Sequence, residues 1–470
     1  NNIIGGIFLF VDPGNTVSGN QLSGIRLGDR ANDLAADNNV IRNNNIGTDP
    51  DGTSAIPNGD GAAGGGIRID EGTGNEILDN VIAGNNTNGI RLRGSSPSNI
   101  IRENKIGVDA NGDPLGNDFR GIWVQTDNNT IGGSNSGNVI GSNSLAGVLI
   151  EGGSNSVDEN LVGVDSSGTD IGNGADGIAV FGDSNSIDNN AIGNNSGVGI
   201  LLRDATANEV VSNHIGRNAS GASAPNEGGG VFISATSGNS SGDNVIGGSE
   251  AANVVANNRG DGVRIGGNGS ATRNPVRYNQ IYDNTDLGID LRDDGRTTND
   301  PGDGDDGPNR LQNYPVLRSS NYDSGADAVT VTYLVPSDPD TSTSGASLYP
   351  LAIDIYVADA EGEEGRTYIG TESYTANDYR GCDSPPCTVT KTFTPQSSVN
   401  QDDELVATAT DDEGNTSEFS KTVNDPPVAR PDSFATDEGQ TLTVMAPGVL
   451  DNDSDPDGDP LEASLVSGVS

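Results

Sequence analysis

The stretch DGIAVFGDSNSIDNNAIGNNSGVGILL, residues 176–202, contains the pattern that decides the fold of this chain. It holds two copies of one phrase, Gly177-Ile178 and Gly199-Ile200, and between them the tripeptide Asn-x-Ile starts at Asn185 and again at Asn190. The apolar residues form short, mostly β-branched runs. The segment therefore predicts a repeating unit of two or three short β-strands joined by turns.

The Gly-Ile or Gly-Val pair recurs from Gly66 onward at intervals of 22 to 32 residues. This period predicts a parallel β-solenoid, whose coils stack at the interstrand spacing of about 4.8 Å to give a rod roughly 50 Å long. A repeated Asn predicts an amide ladder, and the Gly predicts either a positive φ or a close approach between coils. The pairs begin at Gly24, Gly66, Gly89, Gly121, Gly147, Gly177, Gly199, Gly230, Gly262 and Gly288.

Charge and hydropathy exclude several classes of protein. The 470 residues include 68 acidic and 24 basic side chains, a net charge of −44, which would repel a nucleic acid backbone. No apolar run approaches the roughly 20 residues of a membrane-spanning helix. We interpret the chain as part of a longer, exported protein, and its acidity suits a cation-rich exterior.

Several phrases resemble right-handed parallel β-helix repeat proteins of bacterial surfaces. They are NNNIGTDPDGT (43–53), NKIGVDANGDP (104–114), and LGIDL (287–291) followed by PNRLQNYPVL (308–317), which resembles the last coil of that family. The resemblance covers roughly residues 1–317. It implies the right-handed winding and the exported location.

Asn becomes rare after about residue 300, and alternating strands replace the short repeats. Runs at 328–335, 351–357, 388–393 and 404–410 predict an immunoglobulin-like β-sandwich, and the segment 407–420 resembles the closing hairpin of Ig-like domains in bacterial surface proteins. The last segment contains the phrases TDEGQ (436–440), VLDND (449–453) and DPDGDP (455–460). It resembles the start of a cadherin-like tandem repeat. We therefore expect an all-β chain with a parallel β-helix at 1–317, an Ig-like sandwich at 318–424 and a truncated cadherin-like β repeat at 425–470.

Both cysteines, Cys382 and Cys387, lie in the sandwich region. Their close spacing favours a local disulfide at a hairpin tip, which agrees with an oxidising exterior. A redox or metal site is the alternative, although the pair is not a C-x-x-C motif and has no nearby His.

Two acidic clusters are candidate calcium sites, because calcium takes oxygen ligands at alternate positions of an acidic turn. A solvated acidic turn is the alternative for both. The first cluster comprises Asp300, Asp303, Asp305 and Asp306. The second comprises Asp451, Asp453, Asp455, Asp457 and Asp459, with Asp437 and Glu438 as further ligands of a cadherin-like site.

The longer coils carry an insertion that begins with Asp49, Asp109 or Asp165, with a Gly three residues later. One interpretation is a type I turn that starts at Asp and ends at Gly. The other is a row of stacked carboxylates that faces a cation or a sugar. Asn218 replaces Asp in the fourth copy, which weakens the second interpretation.

Catalysis has little support in the repeats. A polysaccharide lyase needs a group that takes a proton, and the repeats hold one Lys, Lys105, and one His, His214, far apart along the rod. The outward Arg side chains of the Gly-Ile-Arg strands are either ordinary exposed positions or the lining of a groove for an acidic glycan, and Trp123 is a candidate for stacking on a sugar. These arginines are Arg68, Arg91, Arg93 and Arg264.

Together these patterns predict an extracellular structural and adhesive surface protein without catalysis, a β-helix rod with calcium-stiffened β domains. Its expected partner is a cell-surface or extracellular polymer, including glycans. One alternative is a carbohydrate-active β-helix, either a polysaccharide lyase or a glycan-binding module. The other is a subunit of an extracellular filament or surface layer that associates end to end.

Overall fold

A computed structural model describes residues 2–5, 14–29, 31–32, 34–59, 64–167, 169–340 and 349–423. Of the last segment it describes 428–435, 439, 441, 444, 447–453, 461 and 463. The structure has two parts, a rod that ends near residue 300 and a β-sandwich that begins at Val316. The first sandwich strand thus begins two residues before the boundary expected at 318.

The rod is a parallel β-helix with three long sheets, because each coil contributes one short strand to each sheet. Within the described residues, sheet A has nine strands and sheets B and C have ten each. Sheet A consists of Ile3–Gly5, Val40–Arg42, Glu76–Leu78, Ile100–Arg102, Thr130–Gly132, Ser156–Asp158, Ser186–Asp188, Glu209–Val211 and Val245–Ile246. Sheet B consists of Thr16–Val17, Asn45–Ile46, Val81–Ile82, Lys105–Ile106, Val139–Ile140, Leu161–Val162, Ala191–Ile192, His214–Ile215, Val254–Ala256 and Gln280–Tyr282. Sheet C consists of Ser23–Leu27, Gly65–Glu71, Ile90–Ser95, Ile122–Val124, Val148–Ile150, Ile178–Val180, Ile200–Arg203, Val231–Ala235, Val263–Gly267 and Ile289–Leu291.

The core of the rod is a set of aliphatic stacks. Alternate residues of each strand point inward, so the register places Ile41, Ile77, Ile101 and Ile131 in one column, all fully buried. Each buried side chain of this size contributes about 1.5–3 kcal/mol relative to an exposed one. The predicted aliphatic layers are therefore the main source of stability in the rod.

Three asparagine ladders run along the rod, whereas the sequence predicted an amide ladder without its number of copies. In each ladder the backbone N–H and Nδ2 of one Asn donate to Oδ1 of the Asn in the next coil, as in the pair Asn160 and Asn190 at 2.9 and 3.0 Å. Two ladders lie at the doubled Asn-x-Ile positions, five residues apart, and contain Asn155 and Asn160 respectively. The third ladder consists of Asn20, Asn58, Asn85, Asn117, Asn143, Asn173, Asn195, Asn226, Asn258 and Asn284.

The glycine of each Gly-Ile pair is explained by the close approach and not by a positive φ. A Cβ on Gly147 would lie 2.8 Å from the carbonyl oxygen of Gly177 in the next coil, and a Cβ on Gly177 would lie 2.7 Å from that of Gly199. At the last coil the neighbour changes, since a Cβ on Gly288 would lie 2.9 Å from the ring of Phe419. A side chain at these positions would push the coils apart.

The second part is a sandwich of two three-stranded antiparallel sheets. One sheet orders its strands as Val316–Asp323, Ala328–Leu334 and Val389–Phe393, and the other as Gly365–Tyr374, Leu351–Ala358 and Leu405–Thr410. The four predicted strands are present, whereas Val316–Asp323 and Gly365–Tyr374 were not predicted. A short helix at Ala376–Arg380, capped by Thr375, was also missed, and 3₁₀ turns lie at Pro308–Leu311 and Gly448–Leu450.

The sandwich covers the last coil of the rod, and the two cores are continuous. Tyr356, Val406 and Phe419 of the sandwich belong to the same buried cluster as the aliphatic stacks. Polar side chains of the sandwich also satisfy the free N–H groups of the last coil. Both Asn284 donors reach the carboxylate of Glu364 at 2.9 and 3.0 Å, and the N–H of Leu291 reaches Glu418 at 3.1 Å.

Candidate functional site

The outer face of sheet C differs from the rest of this acidic surface. Strand alternation and register align one outward residue from each coil in a single line, which we call the outer row. From the first coil to the last, the outer row consists of Arg26, Arg68, Arg91, Trp123, Leu149, Ala179, Leu201, Phe232, Arg264 and Asp290. Its first part is basic, its middle is apolar and its end is mixed.

Five arginines gather at the basic end, and we call them the arginine cluster: Arg26, Arg68, Arg91, Arg93 and Arg120. Three of them surround Asp70, whose side chain is fully buried, with Nε–Oδ distances of 2.6 Å for Arg26 and 2.5 Å for both Arg68 and Arg93. Burial alone would raise the pKa of Asp70, but the hydrogen bonds from Arg68 and Arg93 outweigh it and hold that pKa at about 2. Arg26 also pairs with Asp29 at 3.1 Å, so three positive charges meet two negative charges.

The other two arginines stack on Trp123. The guanidinium carbon of Arg91 lies 3.8 Å from the centre of the indole, and that of Arg120 lies 4.8 Å from it. Arg91 also donates to Gln125 Oε1 at 2.9 and 2.7 Å. Burial, with Arg93 and Arg68 nearby, lowers the pKa of Arg91 to about 10.

The ring of Trp123 therefore holds guanidinium groups and is not the open sugar platform that the sequence suggested. Its buried Nε1 has no hydrogen-bond partner within the described residues. Arg120 has no ion-pair partner there either, and burial lowers its pKa. A guanidinium that stacks on an aromatic ring keeps its in-plane N–H groups for a carboxylate.

The middle of the outer row is an apolar strip. Leu149, Ala179 and Leu201 pack together with Val198, and Trp123 and Phe232 close the two ends of the cluster. Beyond it, Arg264 stacks on Phe232 at 4.1 Å and pairs with Asp293 at 2.7 Å. Arg264 was therefore placed correctly on this face by its Gly-x-Arg context, but it lies far from the arginine cluster.

Acidic groups also border this face. Burial and the charge of Asp290 raise the pKa of Asp261 to about 6, and burial raises the pKa of Asp176. Each accepts a backbone N–H, from Leu287 at 3.2 Å and from Val198 at 3.1 Å respectively. These carboxylates hold loops in place beside the apolar strip.

Lys105 and His214 lie on sheet B, away from the outer row. Lys105 Nζ donates to the carbonyl of Ala110, and burial together with Arg217 lowers the pKa of His214. His214 lies four coils further along the rod than Lys105.

The repeated Asp loops are turns. Asp109 Oδ1 accepts the N–H of Asn111 at 2.8 Å and that of Asp113 at 2.9 Å, and the N–H of Gly112 reaches the carbonyl of Asp109 at 3.1 Å. Asn218 makes the equivalent bonds with its amide oxygen. An amide can therefore replace the carboxylate, which agrees with the turn interpretation.

The first predicted calcium cluster is brought together by the structure, apart from one member. One carboxylate oxygen from each of Asp300, Asp303 and Asp305 lies within 4.8 Å of the other two. Burial raises the pKa of Asp303 to about 7, and Oδ1 of Asp305 is buried without a hydrogen-bond partner among the described residues. Asp306 is exposed and is not part of this group.

Most of the second predicted calcium cluster lies outside the described residues, namely Asp437, Glu438, Asp455, Asp457 and Asp459. Asp451 is exposed, and Asp453 Oδ1 accepts the N–H of Arg430 at 2.7 Å.

Cys382 and Cys387 are joined by a disulfide with an S–S distance of 2.06 Å.

Comparison with protein families matches the rod and the last segment of the chain, and the last segment matches an Ig domain where a cadherin-like repeat was expected. Residues 115–300 match the family "Right handed beta helix region", which gives the hand of the rod, and residues 424–470 match "Bacterial Ig domain". A comparison with curated proteins finds no match. No helix in the described parts of the chain is long and apolar enough to cross a membrane. The match to a bacterial Ig domain agrees with an exported protein.

Several solved structures are similar to this chain. One is a mutant form of the periplasmic alginate epimerase AlgG, with 17% identity and a TM-score of 0.33, covering 55% of this chain and 48% of that one. The matched region therefore spans about half the length of the epimerase. The Dettilon tailspike protein has 14% identity and a TM-score of 0.37, covering 66% of this chain and 71% of that one. A surface adhesin of Streptococcus pneumoniae has 13% identity and a TM-score of 0.22, covering 73% and 85%. Similarities at this level carry no information on activity.

Proposed function

We propose that the chain is an exported, non-catalytic surface module whose rod binds an acidic polysaccharide at the arginine cluster and thereby mediates adhesion. The observation that carries the proposal is the gathering of five of the 24 basic residues on one face of a chain whose net charge is −44. Repulsion from the rest of the surface would direct an anionic polymer to this face.

The chemistry of the cluster suits carboxylates. Guanidinium groups present a planar fork of N–H donors that matches a carboxylate, and such charge-assisted bonds are about twice as strong as neutral ones. Asp70 uses part of this capacity, and Glu151 engages Gln125 at 2.9 Å. Arg91 and Arg120 lie over Trp123, and they supply the remaining donors, which for Arg91 are those that do not reach Gln125.

The same chemistry argues against proton transfer at this face. A pKa of about 10 leaves Arg91 protonated at pH 7 in all but about one molecule in a thousand. Lys105 and His214 lie on another sheet. A lyase needs a group that takes a proton, and the arginine cluster offers arginines that stay charged.

The test compares binding to alginate or polygalacturonate with binding to neutral dextran. We expect the double variant Arg91→Ala/Arg120→Ala to bind the acidic polymers about tenfold more weakly, which corresponds to about 1.4 kcal/mol. Binding should also weaken as salt rises, because the contacts are electrostatic. Arg102→Ala is the matched control, since Arg102 lies on sheet A in the same part of the rod and pairs with Glu76. Equal binding of dextran and acidic polymers would refute the proposal.

A carbohydrate-active enzyme is the second candidate, because Asp261 keeps a raised pKa of about 6 beside Asp290 on the same face. A raised carboxyl pKa is what a general acid requires. The wild-type protein incubated with alginate or pectate should give no ultraviolet-absorbing unsaturated product and no shortened chains. Either product would replace the adhesive proposal with an enzymatic one.

We also propose that calcium binds at Asp300, Asp303 and Asp305. The supporting observation is the unpartnered, buried Oδ1 of Asp305 within a group of converging carboxylates. Calcium prefers such oxygen ligands. The group lies where the rod meets the sandwich, so an ion there would stiffen the joint. Calcium at the second cluster remains a prediction.

End-to-end association also remains a prediction. The last coil of the rod is covered by the sandwich, through Glu364, Glu418 and Phe419. A filament would therefore use another surface than the end of the last coil.

A further inference from the structure

A cavity of about 500 Å³ lies where the rod meets the sandwich, on the side of the hairpin loop that contains Gly362. We propose that this cavity is a second binding site, separate from the outer row, and that it takes a carboxylate-bearing saccharide of one or two rings. The volume lies within the range of about 300–1,000 Å³ that ligand sites occupy, and such sites occur preferentially between domains.

Four segments of the chain form the walls, and internal contacts hold them. Asn299 and Tyr314 bond each other twice, Asn299 Nδ2 to the Tyr314 carbonyl and the Tyr314 N–H to Asn299 Oδ1, both at 2.9 Å. Arg296 Nη1 donates to the Phe419 carbonyl at 2.5 Å, and its Nη2 lies 3.5 Å from Glu363 Oε1. The cavity thus has a rigid floor made by both domains.

The charges of the walls select an anion. Arg296 and Glu363 neutralise each other, which leaves Arg318 and Lys421 against Glu361. Arg318 and Lys421 are exposed, and neither has an ion-pair partner within the described residues. Lys421 is one of only three lysines in the sequence. With Glu361 counted, the lining keeps one net positive charge, and Arg318 and Lys421 are the groups that would pair with a carboxylate there.

The remaining lining groups fit a sugar ring. Tyr314 is half-buried, and its aromatic ring lies 5.9 Å from the guanidinium carbon of Arg296, which leaves more room than the stacking on Trp123. The hydroxyls of Thr298 and Thr422 and the carboxylate of Glu361 can bond ring hydroxyls. A ring with one apolar face and many hydroxyls uses both kinds of surface. A neutral saccharide would leave Arg318 and Lys421 without a partner, so the acidic saccharide should bind better.

The test is calorimetric titration of the full chain with digalacturonate and, separately, with neutral cellobiose. All proteins carry Arg91→Ala/Arg120→Ala, so that the outer row and the cavity are tested independently. We expect saturable binding of digalacturonate, at least about tenfold weaker after Arg318→Ala/Lys421→Ala, which corresponds to about 1.4 kcal/mol. Lys391→Ala is the matched control, because Lys391 lies in the sandwich and its Nζ is 3.5 Å from Asp378.

Three results would overturn the inference. They are no saturable binding of digalacturonate, equal affinity after loss of Arg318 and Lys421, and equal affinity for cellobiose. A failure of the outer row to bind polymers would leave this result unaffected, since the background variant already lacks the contacts of Arg91 and Arg120 and the comparison varies only Arg318 and Lys421. Arg318→Ala/Lys421→Ala should keep the melting temperature of the background protein within about 2 °C, because both side chains are exposed and such surface substitutions change stability little.

Discussion

The middle of the rod and its last coil satisfy their buried hydrogen-bond donors in different ways. In the middle, each buried Asn has an identical Asn in the next coil, as Asn160 has Asn190. At the last coil the series ends, and Asn284 meets Glu364, which is 80 residues further along the chain. Repetition satisfies the backbone in the first case, and one particular residue of another domain does so in the second.

This difference changes the electrostatics of the two regions. An amide ladder is neutral and costs no charge when it is buried, whereas a carboxylate that ends the ladder must lose its water. Burial raises the pKa of Glu364 to about 8 and that of Glu418 to about 7, although each accepts hydrogen bonds from the rod. The junction is therefore the region where single substitutions and pH should matter most.

The largest effect should follow loss of the buried ion pair across the junction. Arg277 binds Asp354 with two bonds of 2.7 Å, and the Asp354 side chain is fully buried. Arg277→Ala would leave that carboxylate without its counter-charge, so the free energy of unfolding should fall by about 3–5 kcal/mol in denaturant titrations.

Arg366→Ala is the control, because Arg366 also crosses the junction but pairs with Asp283 at the surface. Its cost should stay below about 1 kcal/mol. Equal losses in the two variants would mean that burial does not distinguish these pairs.

A smaller effect should follow interruption of a ladder in the middle of the rod. Asn160 Oδ1 accepts two bonds from Asn138, and its Nδ2 donates to Asn190 and to the carbonyls of Ile131 and Asp158. Asn160→Ala would leave these buried groups unpaired and should cost about 2–3 kcal/mol. The exposed Asn268 is the control, and Asn268→Ala should be neutral in the same chemical denaturation.

The stability of the junction should also depend on pH, in contrast to that of the neutral ladders in the middle of the rod. Because the pKa of Glu364 rises from 4.5 to about 8 on folding, its contribution is fully present below pH 4.5 and is lost as pH rises to 8. Glu364→Gln removes this titration. Between pH 5 and 8 the wild type should therefore lose at least about 1.4 kcal/mol more than the variant, the value of one pKa unit.

The melting temperature measured across that range tests this expectation. Glu250→Gln, at an exposed position, should reproduce the wild-type profile. A Glu364→Gln profile with the same slope as the wild type would show that Glu364 does not titrate on unfolding.

The smallest effect should be that of calcium at the junction. If calcium binds with a dissociation constant of about 1 mM, about 5 mM calcium should stabilise the protein by about 1 kcal/mol. Asp305→Asn should abolish this gain, because it removes one carboxylate of the converging group. EDTA should leave the melting curve of the variant unchanged, and an equal calcium response in both proteins would exclude this group as the site.

The sequence predicts the rod well because its determinants are local and repeated. Strand alternation places Ile178 inward and Ala179 outward from neighbours in the same strand, and the Gly-Ile pair marks each coil. The third ladder was missed because its Asn residues follow insertions of varying length, although Asn85 and Asn195 each lie five residues after a predicted ladder position. The alignment of three Asn residues at five-residue spacing was the available signal.

The candidate sites were less predictable because they depend on distances between segments far apart in sequence. Arg68, Arg91 and Arg93 were recognised from the sequence. The coil register, however, decides that Arg68 and Arg93 contact Asp70 and that Arg120 stacks on Trp123. The Asp300 group was found because its members are neighbours in sequence. Nothing in the local pattern marks Arg318 and Lys421 as neighbours.

The sequence by itself determined the β-helix, the inward aliphatic columns, the turns at the Asp loops and the change of architecture near residue 300. Each of these follows from residues a few positions apart, whose effect is repeated in every coil. Only the tertiary structure decided which arginines gather on sheet C and which sandwich residues end the ladders. Coil lengths of 22 to 32 residues change from one coil to the next, so side chains meet through stacking and domain packing, and no local period encodes that meeting.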